Sequence, residues 1–302
     1  MYDLISIGNI TADLFFDGEE LTKDQERYKL AIGGKYFVDS FYSSVGGGGA
    51  NVAIGTKRLG LRTAVCGFVG NNVFRQMILT RLRKMRISTK LLLFSQKYTN
   101  LSIILSTKTG ERTIINHETP HEHLKELSNF RKKLQRARAI YFGNLPDVSF
   151  GERVALLKKL KKSDVLIIGN IGKRDCCRPK QAIAEYLKHI DIFIVNRYEF
   201  AEVVRKDPDI LNLQRNMLKF LPSFHEKLLV VTDGGNGSYA HQNGEVYYQK
   251  ALTPKKLVDT TGAGDGYTAG FIASYLRNED IKLAMKKGAQ YASRIIAKLG
   301  AN

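Results

Sequence analysis

Asp259-Thr260-Thr261-Gly262-Ala263-Gly264-Asp265-Gly266-Tyr267 leads without a break into Thr268 to Leu276, an almost wholly apolar run that predicts a buried helix. The glycines at 262 and 264 let the backbone turn tightly, so that consecutive N–H groups at the helix start converge on one point. Such a nest of donors stabilises phosphate charge as it develops. Asp265 then stands at the mouth of the nest, placed to accept the proton of a hydroxyl whose oxygen attacks a γ-phosphate. Phosphoryl transfer is loose, so the group need not be a strong base. Read purely structurally, Asp265 is a capping aspartate behind a glycine loop. A second aspartate, Asp259, and two threonines make the nonapeptide far more specific than a lone Gly-x-Gly.

Working outward, short β-rich runs alternate with amphipathic stretches. Leu4 to Ile7, Thr63 to Phe68, Ala139 to Phe142, Val165 to Ile168, Ile192 to Val195 and Leu228 to Thr232 are each followed by a polar or glycine turn and a helical pattern. That alternation predicts a mostly parallel sheet covered by helices. No internal repeat or linker is present and there are only six prolines, so one domain over residues 1–302 is expected. Two regions break the rhythm. Phe15 to Tyr42 is polar and irregular, and Thr99 to Asn116 reads as two strands, Leu101 to Ser106 and Arg112 to Asn116, joined by Lys108-Thr109-Gly110-Glu111. Strands without partner helices suggest a small sheet standing off the main one, built from segments of about 13–45 and 97–118. It is a decorative hairpin or a lid; Asp13 at its entrance favours the lid.

A chain of 302 residues with 43% hydrophobic residues can bury a large core. Met1 to Gly8 lacks a charged segment followed by a long apolar run, and no apolar stretch approaches the ~20 residues of a membrane helix, so a soluble, cytoplasmic protein is the expectation. Cys66, Cys176 and Cys177 form neither a disulfide framework nor a zinc spacing. The net charge of +18 would attract polyanions. Arg81 to Arg86, Arg131 to Arg138 and Lys158 to Lys162 nevertheless read as solvated faces of separate helices, with no nucleic-acid signature among them.

DTTGAGD at 259–265 resembles the C-terminal signature of the PfkB family of carbohydrate and nucleoside kinases, the ribokinase-like enzymes. Gly46-Gly47-Gly48-Gly49-Ala50-Asn51-Val52-Ala53 is similar to the family's N-terminal glycine motif, and a helical pattern, Ala50 to Leu59, follows it; without the family it is a flexible loop. Gly8-Asn9-Ile10-Thr11-Ala12-Asp13 resembles the end of the family's first strand, whose aspartate binds two sugar hydroxyls; a surface turn is the competing reading. Asn196-Arg197-Tyr198-Glu199 resembles the Asn-x-x-Glu motif, and is equally a helix capping box. Thr232-Asp233-Gly234-Gly235-Asn236-Gly237 resembles the nucleotide-binding turn and, read alone, is a hairpin turn before Ser238 to His241 and Val246 to Gln249. Gly110-Glu111-Arg112-Thr113 resembles the lid turn, and Gly300-Ala301 the near-terminal Gly-Ala pair.

The resemblance implies a three-layer α/β/α fold with a β-sheet lid, and ATP-dependent phosphorylation of a hydroxymethyl group. It makes Asp265 the general base beside an anion hole of Gly262, Ala263 and Gly264, with Asp13, Gly47, Gly48 and Asn51 on the substrate. Asn196, Thr232, Gly234 and Gly237 would line ATP, Glu199 would hold Mg²⁺ through water, and Asp259 with Thr261 would hold a monovalent cation such as K⁺. Lid-to-lid homodimers are a further implication. Thr11-Ala12-Asp13 is closest to the ribokinase pattern, which points to a pentose such as ribose; a nucleoside presents the same diol and 5′-hydroxyl. Phe15, Phe37, Phe41 and Tyr42 are candidates to stack on a base, to pack the lid or to join two subunits. A non-catalytic nucleic-acid or metabolite-binding protein is the remaining reading. The chain departs from the family at Ile168-Gly169-Asn170-Ile171-Gly172, where only Asn170 matches Asp-x-Asn-x-Arg and Lys173 or Arg174 would have to substitute, and at Tyr267, where Phe is usual.

Overall fold

Parallel strands covered on both faces are built from unbroken apolar runs, and Leu4 to Ile7 and Thr63 to Gly70 are buried at every position. The computed structural model describes residues 1–18, 23, 24, 27, 28, 30–106, 112–119, 124–145, 148–161, 163–254, 256–298, 300 and 301. The turn at 108–111 and Asn302 lie outside the described residues. In chain order the strands are β1 (Leu4–Ile7), β2 (Thr11–Asp17), β3 (Lys23–Asp24), β4 (Arg27–Tyr28), β5 (Ser40–Gly46), β6 (Thr63–Gly70), β7 (Ser88–Ser95), β8 (Asn100–Ser106), β9 (Arg112–Glu118), β10 (Ala139–Phe142), β11 (Leu166–Gly169), β12 (Ile192–Asn196), β13 (Leu228–Thr232), β14 (Ser238–Gln242) and β15 (Glu245–Gln249). The helices are α1 (Gly48–Arg58), α2 (Arg75–Lys84), α3 (Arg131–Leu134), α4 (Phe150–Leu160), α5 (Lys173–Cys176), α6 (Lys180–Leu187), α7 (Arg197–Val204), α8 (Leu213–Phe220), α9 (Ala263–Asn278) and α10 (Ile281–Ile295).

The main sheet has the order β15-β14-β13-β12-β11-β10-β1-β6-β7. It is parallel from β13 to β7, and β14 and β15 add an antiparallel edge. Alternate side chains feed two cores: Ile5, Ile7, Phe142 and Phe193 meet α4, α6 and α7, whereas Leu4, Tyr141, Ile194 and Val230 meet α9 and α10. Helix α9 is buried on almost every side because its small residues admit close neighbours. A side chain at Gly270 would come within 2.5 Å of the Lys287 carbonyl in α10.

The second sheet, β5-β2-β8-β9, is the lid. Strands β8 and β9 begin and end within two residues of the expected Leu101 to Ser106 and Arg112 to Asn116, and Asp13 lies inside β2 rather than at the end of the first main-sheet strand. The chain leaves the main sheet after Ile7 and re-enters extended structure at Thr11, so that Phe15 to Asp17 is strand and not irregular coil. Strand β7 has no counterpart in the sequence reading. Its consecutive Leu91, Leu92 and Leu93 show no period of two, because α2 covers one face of an edge strand while the main core takes the other. The basic runs lie on separate helices, and Arg83, Lys84, Arg131, Lys132, Lys133, Lys158 and Lys159 are exposed.

Candidate active site

The parallel strands point their carboxyl ends toward one crevice, the usual ligand position of an open α/β sheet. Helix α9 starts there. Gly262 caps it in the left-handed region at φ 74°, where a side chain would be strained and would also strike Ala301. Nothing lies within 4 Å of where a side chain at Gly264 would begin, so the backbone there faces open space. One residue on, Asp265 accepts a 2.8 Å hydrogen bond from Asn51 Nδ2, which α1 carries. Gly47, at φ 85°, makes the turn that brings α1 this close, with the Asn9 carbonyl only 2.5 Å from where a side chain would begin. Asp13 faces the same space from the lid. Its Oδ1 accepts from Thr11 at 2.7 Å, and Gly46 leaves room for its carboxylate. Burial pushes the Asp265 carboxyl up, the Asn51 hydrogen bond draws it back and the Asp13 charge adds to the rise, leaving it above the usual range. Asp13 is likewise raised, chiefly by burial, against hydrogen bonds from Thr11 and Ser102.

Behind the nest lies a cavity of about 350 Å³ lined by Thr232, Gly234, Gly237, Thr260, Ala263 and Gly264, and closed by α10. Gly237, at φ 103°, packs on the Gln249 carbonyl. The Tyr267 hydroxyl, the departure from the usual phenylalanine, donates to Ser238 Oγ at 2.8 Å. Of the expected nucleotide residues, Asn196 does not line the cavity; its side chain accepts from the Glu199 N–H at 2.9 Å and Glu199 returns the contact at 3.0 Å, a complete capping box for α7. Arg197 joins this turn to the next through Asp233 at 2.9 Å.

Burial pushes the Glu199 carboxyl up, hydrogen bonds from Asn196 and Asn170 oppose it and the Asp265 charge adds to it, for a value of about 7. A buried carboxylate raised further by the charge of a second one suits a nearby divalent cation. Among the described residues no group of three or more His, Cys, Asp or Glu side chains could hold a metal by itself. Magnesium keeps most of its waters and takes phosphate oxygens as ligands, so a site for it need not be a cage of protein side chains. The Asn170 amide, the one matching residue of its segment, donates to the Ile194 carbonyl at 2.8 Å and supports the strand below Glu199.

The family model for pfkB family carbohydrate kinases matches residues 2–302. The chain belongs to this family. It is 21% identical over 308 residues to an ATP-dependent 6-phosphofructokinase of Thermoanaerobacterium thermosaccharolyticum, covering 99% of this chain and 89% of the relative. To a nucleoside kinase of Methanocaldococcus jannaschii it is 23% identical over 307 residues, covering 99% and 92%. The structure of Arabidopsis thaliana ribokinase complexed with ribose and ATP superposes with a TM-score of 0.81 at 21% identity, over 99% of this chain and 94% of that one. The fold is therefore ribokinase-like, and the protein is a sugar or nucleoside kinase, a phosphotransferase with an alcohol acceptor. No helix among the described residues is long and apolar enough to cross a membrane.

In this pfkB kinase two groups were missed by the reading of motifs. Arg112, at the start of β9, forms an ion pair with Asp259 and donates to Thr260 Oγ1 at 3.0 Å, so the lid touches the turn that leads into α9 directly. The signal was present in Gly110-Glu111-Arg112-Thr113, but nothing local says where a lid arginine reaches. At the other end of the cleft, Asn9 accepts from Asn100 and from the Tyr98 hydroxyl and donates to Glu118 at 3.4 Å. Arg174 approaches Glu118 at 3.7 Å. The aromatic candidates divide. Phe15 and Tyr42 stack on each other at 4.3 Å on the face that carries Asp13, whereas Phe41 pairs with Phe16 on the opposite face and Phe37 is exposed.

Proposed function

We propose that the protein, as one kinase domain over residues 1–302, transfers the γ-phosphate of ATP to the hydroxymethyl group of a small sugar, a pentose such as ribose. The observation that carries this reading is the position of Asp265, with Asn51 and Asp13 on one side and the open nest and nucleotide-sized cavity on the other. Asp265 takes the proton of the attacking hydroxyl, and the turn at Gly262, Ala263 and Gly264 holds the charge that gathers on the transferred group. Asp13, Gly47, Gly48 and Asn51 hold the acceptor, and Thr232, Gly234 and Gly237 lie along ATP. Asn196 serves the nucleotide site by fixing Glu199, which would hold hydrated magnesium. Bound magnesium supplies charge neutralisation on the phosphate oxygens.

The far wall supports a compact polyol over a stacked base. The Phe15 and Tyr42 rings are spent on each other, and the polar groups nearby, Asn9, Asn100 and Glu118, form one hydrogen-bonded set without an aromatic face. We further propose that two copies pair through the lid, since Phe37, Val38 and Phe41 are exposed in and beside its edge strand. The test is ADP release from ATP and Mg²⁺ with ribose, fructose, 2-keto-3-deoxygluconate, adenosine, guanosine, inosine and cytidine, with Asp265→Asn as the blank. Turnover of ribose that falls by on the order of 10² to 10⁴ in the variant supports the proposal. Turnover of a nucleoside alone moves the acceptor class, and a variant that keeps most of the activity removes Asp265 from the mechanism.

A further inference from the structure

The resemblance to the family's motifs implies a monovalent cation beside Asp259 and Thr261, but the atoms present do not suit one. The Asp259 side chain is 3% exposed, and its oxygens are occupied by hydrogen-bond donors. Oδ1 accepts from Arg112 Nη1, from the Thr261 N–H at 2.8 Å and from the Thr261 hydroxyl at 2.7 Å; Oδ2 accepts from the Gly300 N–H at 2.9 Å. With Arg112 in place four donors take up the Asp259 carboxylate and leave it no lone pair for a metal ion; without Arg112 one acceptor position and the negative charge would be open again. The charge that a buried carboxylate requires is already supplied by a guanidinium.

We infer that Arg112, carried by the lid, is the fixed cation of the phosphate-binding turn, so that this kinase does not depend on K⁺ or another monovalent metal ion there. One arm of the guanidinium neutralises Asp259 and the other holds Thr260 Oγ1 at 3.0 Å, which clamps the two residues from which the turn into Gly262 departs. A guanidinium stays charged at any physiological pH, and its planar fork suits a two-point clamp in a way a spherical ion does not. The arrangement also differs from a resident ion in kind. Arg112 belongs to β9, an edge strand of the lid, 147 residues from Asp259, so the countercharge of the turn is supplied by the lid. Arg112 is a positioning residue in this account: it sets the turn and its charge and need not touch the acceptor.

The inference rests on the kinase reading only for its nucleotide arm, and the first readout is independent of it. Melting temperatures of the wild type and of Arg112→Ala are compared in potassium, sodium and tetramethylammonium chloride at equal ionic strength, and ATP affinity is then measured by calorimetry in the same salts. The wild type should melt alike in all three. Arg112→Ala, with the carboxylate uncovered, should be stabilised by potassium over tetramethylammonium, and its ATP affinity should recover by about fivefold or more, the mass-action signature of an ion binding the folded state. Arg112→Lys keeps a charge and should stay indifferent to potassium. A wild type whose melting temperature rises in potassium overturns the inference, and so does an Arg112→Ala variant that ignores potassium, which would leave Arg112 a simple latch. If neither protein binds ATP, the kinase reading fails while the melting comparison still decides this one.

Discussion

Glu199→Gln isolates the electrostatic character of the site. The amide has the shape of the carboxyl and can still accept the Asn196 N–H, so the capping box of α7 survives the change. The carboxyl titrates near 4.5 when the chain is unfolded and about 7 when folded. Below the lower value both states are protonated and the wild type pays nothing. Between the two values the unfolded chain sheds a proton that the native state retains, so stability falls as pH rises and levels off above about 7. At ~1.4 kcal/mol per pH unit the full difference amounts to about 3 kcal/mol. Solvent reaches the partly buried side chain, so about 2 kcal/mol is the working expectation. Glu199→Gln should therefore match the wild type at acid pH and melt about 4 °C higher at pH 8. Thermal melts of the ligand-free protein across that range give the answer. A variant less stable at every pH, or one whose difference from the wild type does not change with pH, would refute the burial argument.

Gly264→Ala should keep or slightly raise the melting temperature, because no atom lies where the methyl would go, yet should weaken ATP binding by about tenfold; calorimetry showing unchanged affinity would mean phosphate lies elsewhere. Asp175→Ala strips the partner from Arg153, whose side chain is 0% exposed and pairs at 2.6 Å, and should cost about 3–5 kcal/mol in urea unfolding; a loss under about 1 kcal/mol would show that the cation relocates to water. Phe41→Asp, at an exposed position of the lid edge, should shift the protein from dimer to monomer in light scattering; an unchanged mass overturns the lid pairing.

The alternation of apolar runs with helical patterns sufficed for a layered α/β sheet, because the strands are buried on both faces and such burial leaves its mark within a few residues. The turn at the start of α9 was legible for a local reason too: Gly262 caps α9 in a conformation that its own backbone permits, and Asp265 follows in the first turn. The sequence reading also came close at β8 and β9 of the lid, whose ends it placed within two residues, but it took Phe15 to Asp17, the end of β2, as irregular. It overlooked β7, whose leucines answer to two different helical layers and so carry no simple period.

What the sequence by itself determined was therefore local: which segments are strand or helix, where the backbone turns on glycine, and which residue types stand ready for phosphate chemistry. The tertiary structure alone decided which of them meet. Asn51 reaches Asp265 across 214 residues, Arg112 reaches Asp259 across 147, and Glu199 acquires its high pKa from burial and from Asp265. Conformational preference is settled over a turn or two of chain, whereas a carboxylate's charge and an arginine's partner depend on whatever the fold brings within a few ångströms. That is why the motif at 259–265 named a chemistry, and only the packed lid revealed that its countercharge comes from Arg112.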